Sequence, residues 1–145
     1  MSANRITVTI LTLTIFCAAL VLAGDTGPAF GKWQFTGKDN AGVVWTGTLT
    51  IEKLDPNRFD TVKYQFMCDL DVQSKTAGRG VGAPGQYAPA TRALSFSTGI
   101  SEVTTYTAVL SPDGKSLTAG KWTVTKKAGN VVVSSGTWSA KLPAQ

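Results

Sequence analysis

Hydrophobic and polar residues alternate along the chain from Phe30 onward with a period of two. This period is typical of β-strands with one buried face, and no long stretch has helical spacing. The chain is therefore predicted to be all-β. The apolar members of the successive runs are Trp33 and Phe35; Val43, Trp45, Leu49 and Ile51; Val62, Tyr64, Phe66, Cys68, Leu70 and Val72; Leu94 and Phe96; Tyr106, Ala108 and Leu110; Trp122 and Val124; and Trp138, Ala140 and Leu142.

Turn signals separate these runs, at residues 38–42, 55–57, 112–114 and 128–130. The runs define seven strands, and the glycine-rich stretch 76–87 is interpreted as either a distorted eighth strand or a flexible loop. Short turns join antiparallel neighbours, so the predicted topology is an antiparallel up-and-down meander. Closure into a barrel of about eight strands is favoured because it removes both exposed sheet edges.

An internal repeat relates the two ends of this meander. Nine identities at a constant offset of 89 fall within about twenty aligned positions. Each copy is predicted to be a hairpin with its tryptophan inward and the preceding lysine outward, and barrel closure would bring the two hairpins side by side. The matching segments are 31–38 with 120–127, Val43-Val44 with Val132-Val133, and Gly47-Thr48 with Gly136-Thr137.

The N-terminus has the pattern of a secretory leader. Residues 6–24 carry no charge, Arg5 precedes them, and Val21-Leu22-Ala23 offers a cleavage site. We expect a signal peptide at 1–23, a single domain at 24–145, and a secreted or periplasmic location. An uncleaved N-terminal anchor is the alternative, because the uncharged run is about long enough to span a bilayer.

The cysteines and the net charge do not indicate a catalytic or binding site. Cys17 would leave with the leader, so the domain would hold only Cys68, which its strand phase makes a buried small hydrophobe. Without Arg5 the net charge is +4, and its lysines are dispersed along the chain. Nucleic-acid-binding proteins concentrate basic residues on one face, so no nucleic-acid partner is expected.

The residue composition and the candidate motifs also argue against an enzyme. The chain contains no histidine, the commonest general base and metal ligand. Asp69 and Asp71 share one strand face and are interpreted as surface residues. Residues 80–85 match the letters of a dinucleotide-binding fingerprint, but Pro84 interrupts it and no helix follows. No catalytic residue, cofactor or metal site is predicted.

Inward aromatic residues are the candidate ligand-binding set. Core packing is the favoured explanation of these residues, because side chains alone fill a barrel of about eight strands. A cavity for a small apolar or planar molecule is the functional alternative, with inward Gly47, Ala108, Ser134 and Gly136 leaving room beside the rings. The candidate residues are Trp33, Trp45, Tyr64, Phe66, Phe96, Tyr106, Trp122 and Trp138.

At Gly31-Lys32-Trp33 the chain resembles the calycin group, which comprises lipocalins, avidins and small secreted barrel inhibitors. In lipocalins a Gly-x-Trp lies on the first strand, soon after the leader. The resemblance implies a secreted β-barrel that binds a small ligand or inhibits a secreted enzyme. It rests on three residues and on strand rhythm, and no avidin-type ligand site maps residue by residue.

Three functions remain open at this stage. The first is a non-enzymatic binding barrel for a small hydrophobic ligand, and the second is a protein-binding module acting through its loops. The third is an outer-membrane barrel, because alternation alone does not say which face meets lipid. The irregular stretch 73–90 would carry or gate either of the first two functions through Arg79 and Tyr87, acting as a loop or lid.

Overall fold

A computed structural model describes residues 27–72 and 80–145, which form eight β-strands. The predicted leader at 1–23 and the predicted loop residue Arg79 lie outside the described residues. The strands are β1 (Gly31–Asp39), β2 (Val44–Lys53), β3 (Phe66–Val72), β4 (Gly80–Ala88), β5 (Ala93–Thr98), β6 (Glu102–Leu110), β7 (Ser116–Lys126) and β8 (Val131–Lys141).

Each strand pairs antiparallel with the next along the chain, and β8 pairs antiparallel with β1. The sheet is therefore a closed up-and-down barrel of eight strands, which confirms the predicted fold class. Closure brings the two repeated hairpins together, with Thr36 opposite Ser139 and Gly37 opposite Trp138. Because every strand has two neighbours, no strand presents an open edge.

The interior of the barrel is apolar, and its outer wall is polar. Trp33 and Trp122 face inward while Lys32 and Lys121 face outward, as the repeat predicts. Threonine, serine, glutamine and lysine side chains alternate with the core residues along the outer wall. The fully buried side chains are Trp33, Phe35, Leu49, Ile51, Phe66, Cys68, Leu70, Leu94, Tyr106, Leu110 and Leu117.

The strand pattern predicted at Val62 and Tyr64 is wrong. Strand β3 begins only at Phe66, Val62 is 89% exposed, and Tyr64 is half-buried outside the barrel against Phe59. The Asp60 carboxylate accepts a hydrogen bond from the Val62 backbone N–H at 2.8 Å, and the Asp60 carbonyl accepts one from Tyr64 at 2.9 Å. These local bonds make a turn where the alternation predicted a strand.

The glycine-rich stretch forms the eighth strand rather than a loop or lid. Strand β4 pairs with both β3 and β5, and Tyr87 is buried with Leu94 as its cross-strand partner. A β-bulge opposite Asp69, where Gly82 has φ +65°, relieves the pairing next to Pro84. Tyr87 thus lies in a strand with its side chain buried rather than in a loop.

The two ends of the barrel differ. We call one end the hairpin end; it carries the turns at 40–43, 99–101 and 127–130. The opposite end, the terminal end, carries residues 27–30 and 142–145, the loop 54–65 and the turns at 89–92 and 111–115.

Candidate functional site

Most of the predicted aromatic residues meet inside the barrel around Phe35. The Phe35 ring lies 5.3 Å from Trp45 and 5.3 Å from Trp138, measured between ring centroids, and 6.5 Å from Tyr106. The Tyr106 ring in turn stacks on Phe96 at 4.8 Å. Phe35 was not among the predicted ligand-binding residues, although its alternation with Trp33 already assigned it to the inward face.

Trp33 and Phe66 are buried away from this network, and Tyr64 is outside the barrel. The described part of the structure thus brings together Trp45, Phe96, Tyr106, Trp122 and Trp138 through direct ring contacts, with Phe35 at their centre.

The inward glycines do not leave room beside the rings, contrary to the sequence expectation. Gly37, Gly120 and Gly136 each lie against a tryptophan of the neighbouring strand, so the absence of a Cβ is what lets the indole sit there. Ser134 is exposed, and Gly47 lies against Val72 and the Asp71 carbonyl. An added Cβ would lie 2.7 Å from the Trp45 ring at Gly37, 2.6 Å from the Trp122 ring at Gly136, and 2.8 Å from Trp138 Cγ at Gly120. At Gly136 and Gly120 it would also clash with the carbonyl oxygens of Lys38 and Trp138.

At the hairpin end, the inward positions change from large aromatic side chains to smaller ones. One cross-strand row, which we call the mouth layer, is formed by Thr98, Thr104, Val124 and Ser134 on β5 to β8. The first three are half-buried and Ser134 is exposed, so the inward positions of this layer are more exposed than those in the middle of the barrel. The row below the mouth layer, towards the terminal end, is Phe96, Tyr106, Trp122 and Gly136.

The four tryptophans differ in the hydrogen bonding of their indole nitrogens. Trp33 Nε1 donates to the Ala29 carbonyl, and Trp138 Nε1 donates to the Lys121 carbonyl, each at 3.1 Å. The indole N–H groups of Trp45 and Trp122 are buried and have no acceptor among the described residues. Their two rings are in edge contact, with centroids 6.0 Å apart and an interplanar angle of 61°.

Two neighbouring unpartnered donors are energetically unusual. A buried N–H without an acceptor costs about 1–3 kcal/mol, and most buried polar groups in proteins are paired. Trp45 and Trp122 are each 6% exposed, while Trp33, Leu110 and Leu117 towards the terminal end are 0% exposed. The unpartnered donors therefore lie in the slightly more exposed half of the barrel, towards the hairpin end.

Burial keeps the titratable groups inside the barrel uncharged near neutral pH. Burial raises the pKa of the Cys68 thiol, which is fully buried, and it raises the pKa of Tyr106 to about 12. Both groups are neutral near pH 7, and a buried thiol of raised pKa is a poor nucleophile. The expected surface position holds for Asp71, while Asp69 is half-buried with one carboxylate oxygen unpartnered.

Within 27–72 and 80–145, no three potential metal-ligating side chains cluster together. No helix in the same ranges is long and apolar enough to cross a bilayer. Compared with models of protein families and with curated protein sequences, the chain matches none of them. The fold and the site thus define a closed eight-stranded antiparallel barrel with an aromatic interior and a small-residue mouth at one end, an architecture compatible with a calycin-like fold.

Proposed function

We propose that this protein is a non-enzymatic binding barrel, secreted or periplasmic, that holds a small hydrophobic ligand at the hairpin end. The ligand would lie within the mouth layer and against Trp45 and Trp122. The observation that carries this proposal is the pair of adjacent buried indole N–H groups that have no acceptor among the described residues. A ligand that accepts hydrogen bonds from them removes the cost of burying these donors unpaired.

The donors also define the chemistry of the ligand. An indole N–H donates and cannot accept, so the ligand needs an acceptor such as a carbonyl or carboxylate oxygen. The rest of the molecule would be apolar or planar, because the surrounding surfaces are aromatic rings and the Val72 side chain. The Thr98 and Thr104 hydroxyls in the mouth layer can donate to or accept from polar atoms at the outer end of such a ligand.

The packed centre restricts the depth of the site. Phe35 and Trp138 stack at 5.3 Å with an interplanar angle of 20°, and the glycines beside the tryptophans are covered by rings. The site we propose is therefore a shallow one in the hairpin half of the barrel. The Gly-x-Trp resemblance to lipocalins and the leader-like N-terminus support the ligand-binding class and the compartment.

Indole NMR signals test this proposal directly. A protein labelled with ¹⁵N at its tryptophans gives one indole N–H signal for each of Trp33, Trp45, Trp122 and Trp138. Titration with anilinonaphthalene sulfonate, an apolar aromatic probe that carries acceptor oxygens, should shift the Trp45 and Trp122 signals most. Equal shifts of all four signals, or none, would contradict the proposed site.

Matched variants separate ligand recognition from core packing. Trp45→Phe and Trp122→Phe remove the free donors and should weaken probe binding by about tenfold, as expected for a lost hydrogen bond of about 1.4 kcal/mol. Trp33→Phe and Trp138→Phe remove donors that the protein already satisfies, and they should leave probe affinity nearly unchanged. Native mass spectrometry of the protein from its own source then identifies any bound small molecule.

A further inference from the structure

The hairpin end also carries an unusual concentration of exposed apolar side chains. Of the nine exposed large hydrophobic residues in the described ranges, six lie on three of its turns and the adjoining strand ends. Their exposures run from 44% to 85%. We call this set the apolar rim: Val43, Val44, Ile100, Val131, Val132 and Val133.

Hydrogen bonds connect the turns that bear the apolar rim. The Asn40 side-chain amide donates to Ser135 Oγ at 2.8 Å, which links the first turn to β8. The Lys127 backbone N–H donates to the Ser101 carbonyl at 3.1 Å, which links the last turn to the turn that carries Ile100. The exposed valines therefore project from a connected edge of the barrel rather than from independent loops.

Both copies of the internal repeat carry a pair of exposed valines at the same position. Val43-Val44 and Val132-Val133 occupy equivalent positions in the two copies, and all four side chains are exposed. Core packing does not explain them. An exposed group of this kind marks an interaction surface more often than scattered single residues do.

Charge distinguishes a lipid surface from a protein partner. Lys38 and Lys127 flank the apolar rim, and neither forms an ion pair with a described residue. The two carboxylates beside the rim have partners, because Glu102 pairs with Lys126 at 3.7 Å and Asp39 accepts a hydrogen bond from the Val43 backbone N–H at 2.9 Å. Lysine is depleted in protein interfaces, which favour aromatic residues and arginine. Aliphatic side chains beside free lysines instead suit the headgroup region of an anionic bilayer, where the lysine stems extend along apolar surface.

We propose that the apolar rim docks this protein onto an anionic lipid surface with its mouth facing the bilayer. The valine and isoleucine side chains enter the boundary between headgroups and acyl chains, and Lys38 and Lys127 contact lipid phosphates. The orientation places the mouth layer against the membrane, which gives a hydrophobic ligand a route that avoids water. Docking depends on the rim and its two flanking lysines and not on the ligand site, so it holds or fails independently of that site.

Vesicle binding tests the proposal. Sedimentation with vesicles of phosphatidylcholine mixed with phosphatidylglycerol measures partitioning of the full chain. A quadruple variant with Val43, Val44, Val132 and Val133 replaced by serine should partition at least tenfold more weakly than the parent. The matched control is Val62→Ser with Val109→Ser, which removes exposed valines away from the rim. The N-terminus is common to all these proteins, so the variants are compared with one another and with the parent.

Lysine variants provide a second test in the same vesicle-binding experiment. Lys38→Gln with Lys127→Gln should weaken binding to the anionic vesicles several-fold and leave the weaker binding to pure phosphatidylcholine unchanged. Lys32→Gln with Lys121→Gln, on the outer wall, is the control pair. Failure of the parent protein to bind, equal losses in rim and control variants, or a rim effect on self-association without an effect on vesicle binding would each overturn the proposal.

Discussion

Trp33 and Trp122 hold equivalent positions in the internal repeat but have different hydrogen-bonding environments. Both are buried, and among the described residues only Trp33 has an acceptor, the Ala29 carbonyl. Replacement of either by phenylalanine removes a similar part of the ring, but Trp33→Phe also removes a hydrogen bond worth about 1 kcal/mol, whereas Trp122→Phe removes an unpaired donor. The free energy of unfolding, measured in urea, should therefore fall by at least about 1 kcal/mol more for Trp33→Phe. Equal losses would contradict the assigned indole partners.

Tyr106 makes stability depend on alkaline pH. Burial raises its pKa to about 12 in the folded protein, while the phenol ionises near pH 10 when unfolded. Between these values the unfolded state releases a proton that the folded state keeps, so stability falls as pH rises through this window. Tyr106→Phe should flatten this fall. Ultraviolet titration of the folded parent should show a phenolate transition near pH 12 that the variant lacks.

At the scale of single residues, the sequence predicts which side chains face inward but not which of them find partners. Alternation correctly assigns Trp45, Trp122 and Trp138 to the interior. The Trp138 indole meets the Lys121 carbonyl only because β7 and β8 pair in a particular register. That Trp45 and Trp122 have no acceptor among the described residues depends on the same register, which no local pattern encodes.

Among the strands, the recurring packing unit is an aromatic ring over a glycine of the neighbouring strand. Gly37→Ala would place a Cβ 2.7 Å from Trp45 Cζ2, so the ring or the strand must shift. Overpacking of this kind costs about 1–3 kcal/mol. Ser139→Ala, an exposed position on the adjoining β8, should change stability by less than about 0.5 kcal/mol.

A double variant checks the cause of that loss. If the clash with the ring destabilises Gly37→Ala, a smaller ring in Trp45→Phe should make the alanine less costly. The two substitutions should then be non-additive by at least about 0.5 kcal/mol, as is typical of contacting residues. Strict additivity in urea unfolding would show that the alanine acts through the backbone instead.

Strand β4 is an element that the local sequence pattern does not predict. Pro84 and the glycines lower the strand propensity of 80–88, yet the segment pairs on both sides. The Gln65 side chain accepts a hydrogen bond from the Tyr87 backbone N–H at 2.8 Å, and the Gln65 backbone donates to Gly85 at 2.9 Å. These contacts are distant in sequence, so they stabilise a strand that alternation left ambiguous.

For the whole molecule, the internal repeat predicts closure of the barrel better than the pattern of any single strand does. Two hairpins of like sequence at opposite ends of a meander implied that β1 and β8 would meet, and they pair over six positions from Gln34 to Asp39. Alternation alone would also fit an open sheet. The resemblance of the hairpins extends to their exposed valines, which is why the rim appears on adjacent turns.

A disulfide across the β1–β8 seam tests closure directly. Thr36 and Ser139 are direct cross-strand partners with exposed outward side chains. Cα atoms of such partners are about 4.5–5.5 Å apart, within the range that a disulfide bridges. Thr36→Cys with Ser139→Cys should therefore oxidise readily in the folded protein, and Cys68 should not compete because it is buried.

This bridge would close a loop that spans almost the whole domain, so it restricts the unfolded chain strongly. The oxidised variant should be more stable than its reduced form by about 2–4 kcal/mol in urea unfolding. Gln86→Cys with Ser139→Cys is the matched control, because β4 does not pair with β8 and those thiols should stay free. An open meander would keep the seam cysteines apart as well, so failure of the seam pair to oxidise would contradict the barrel.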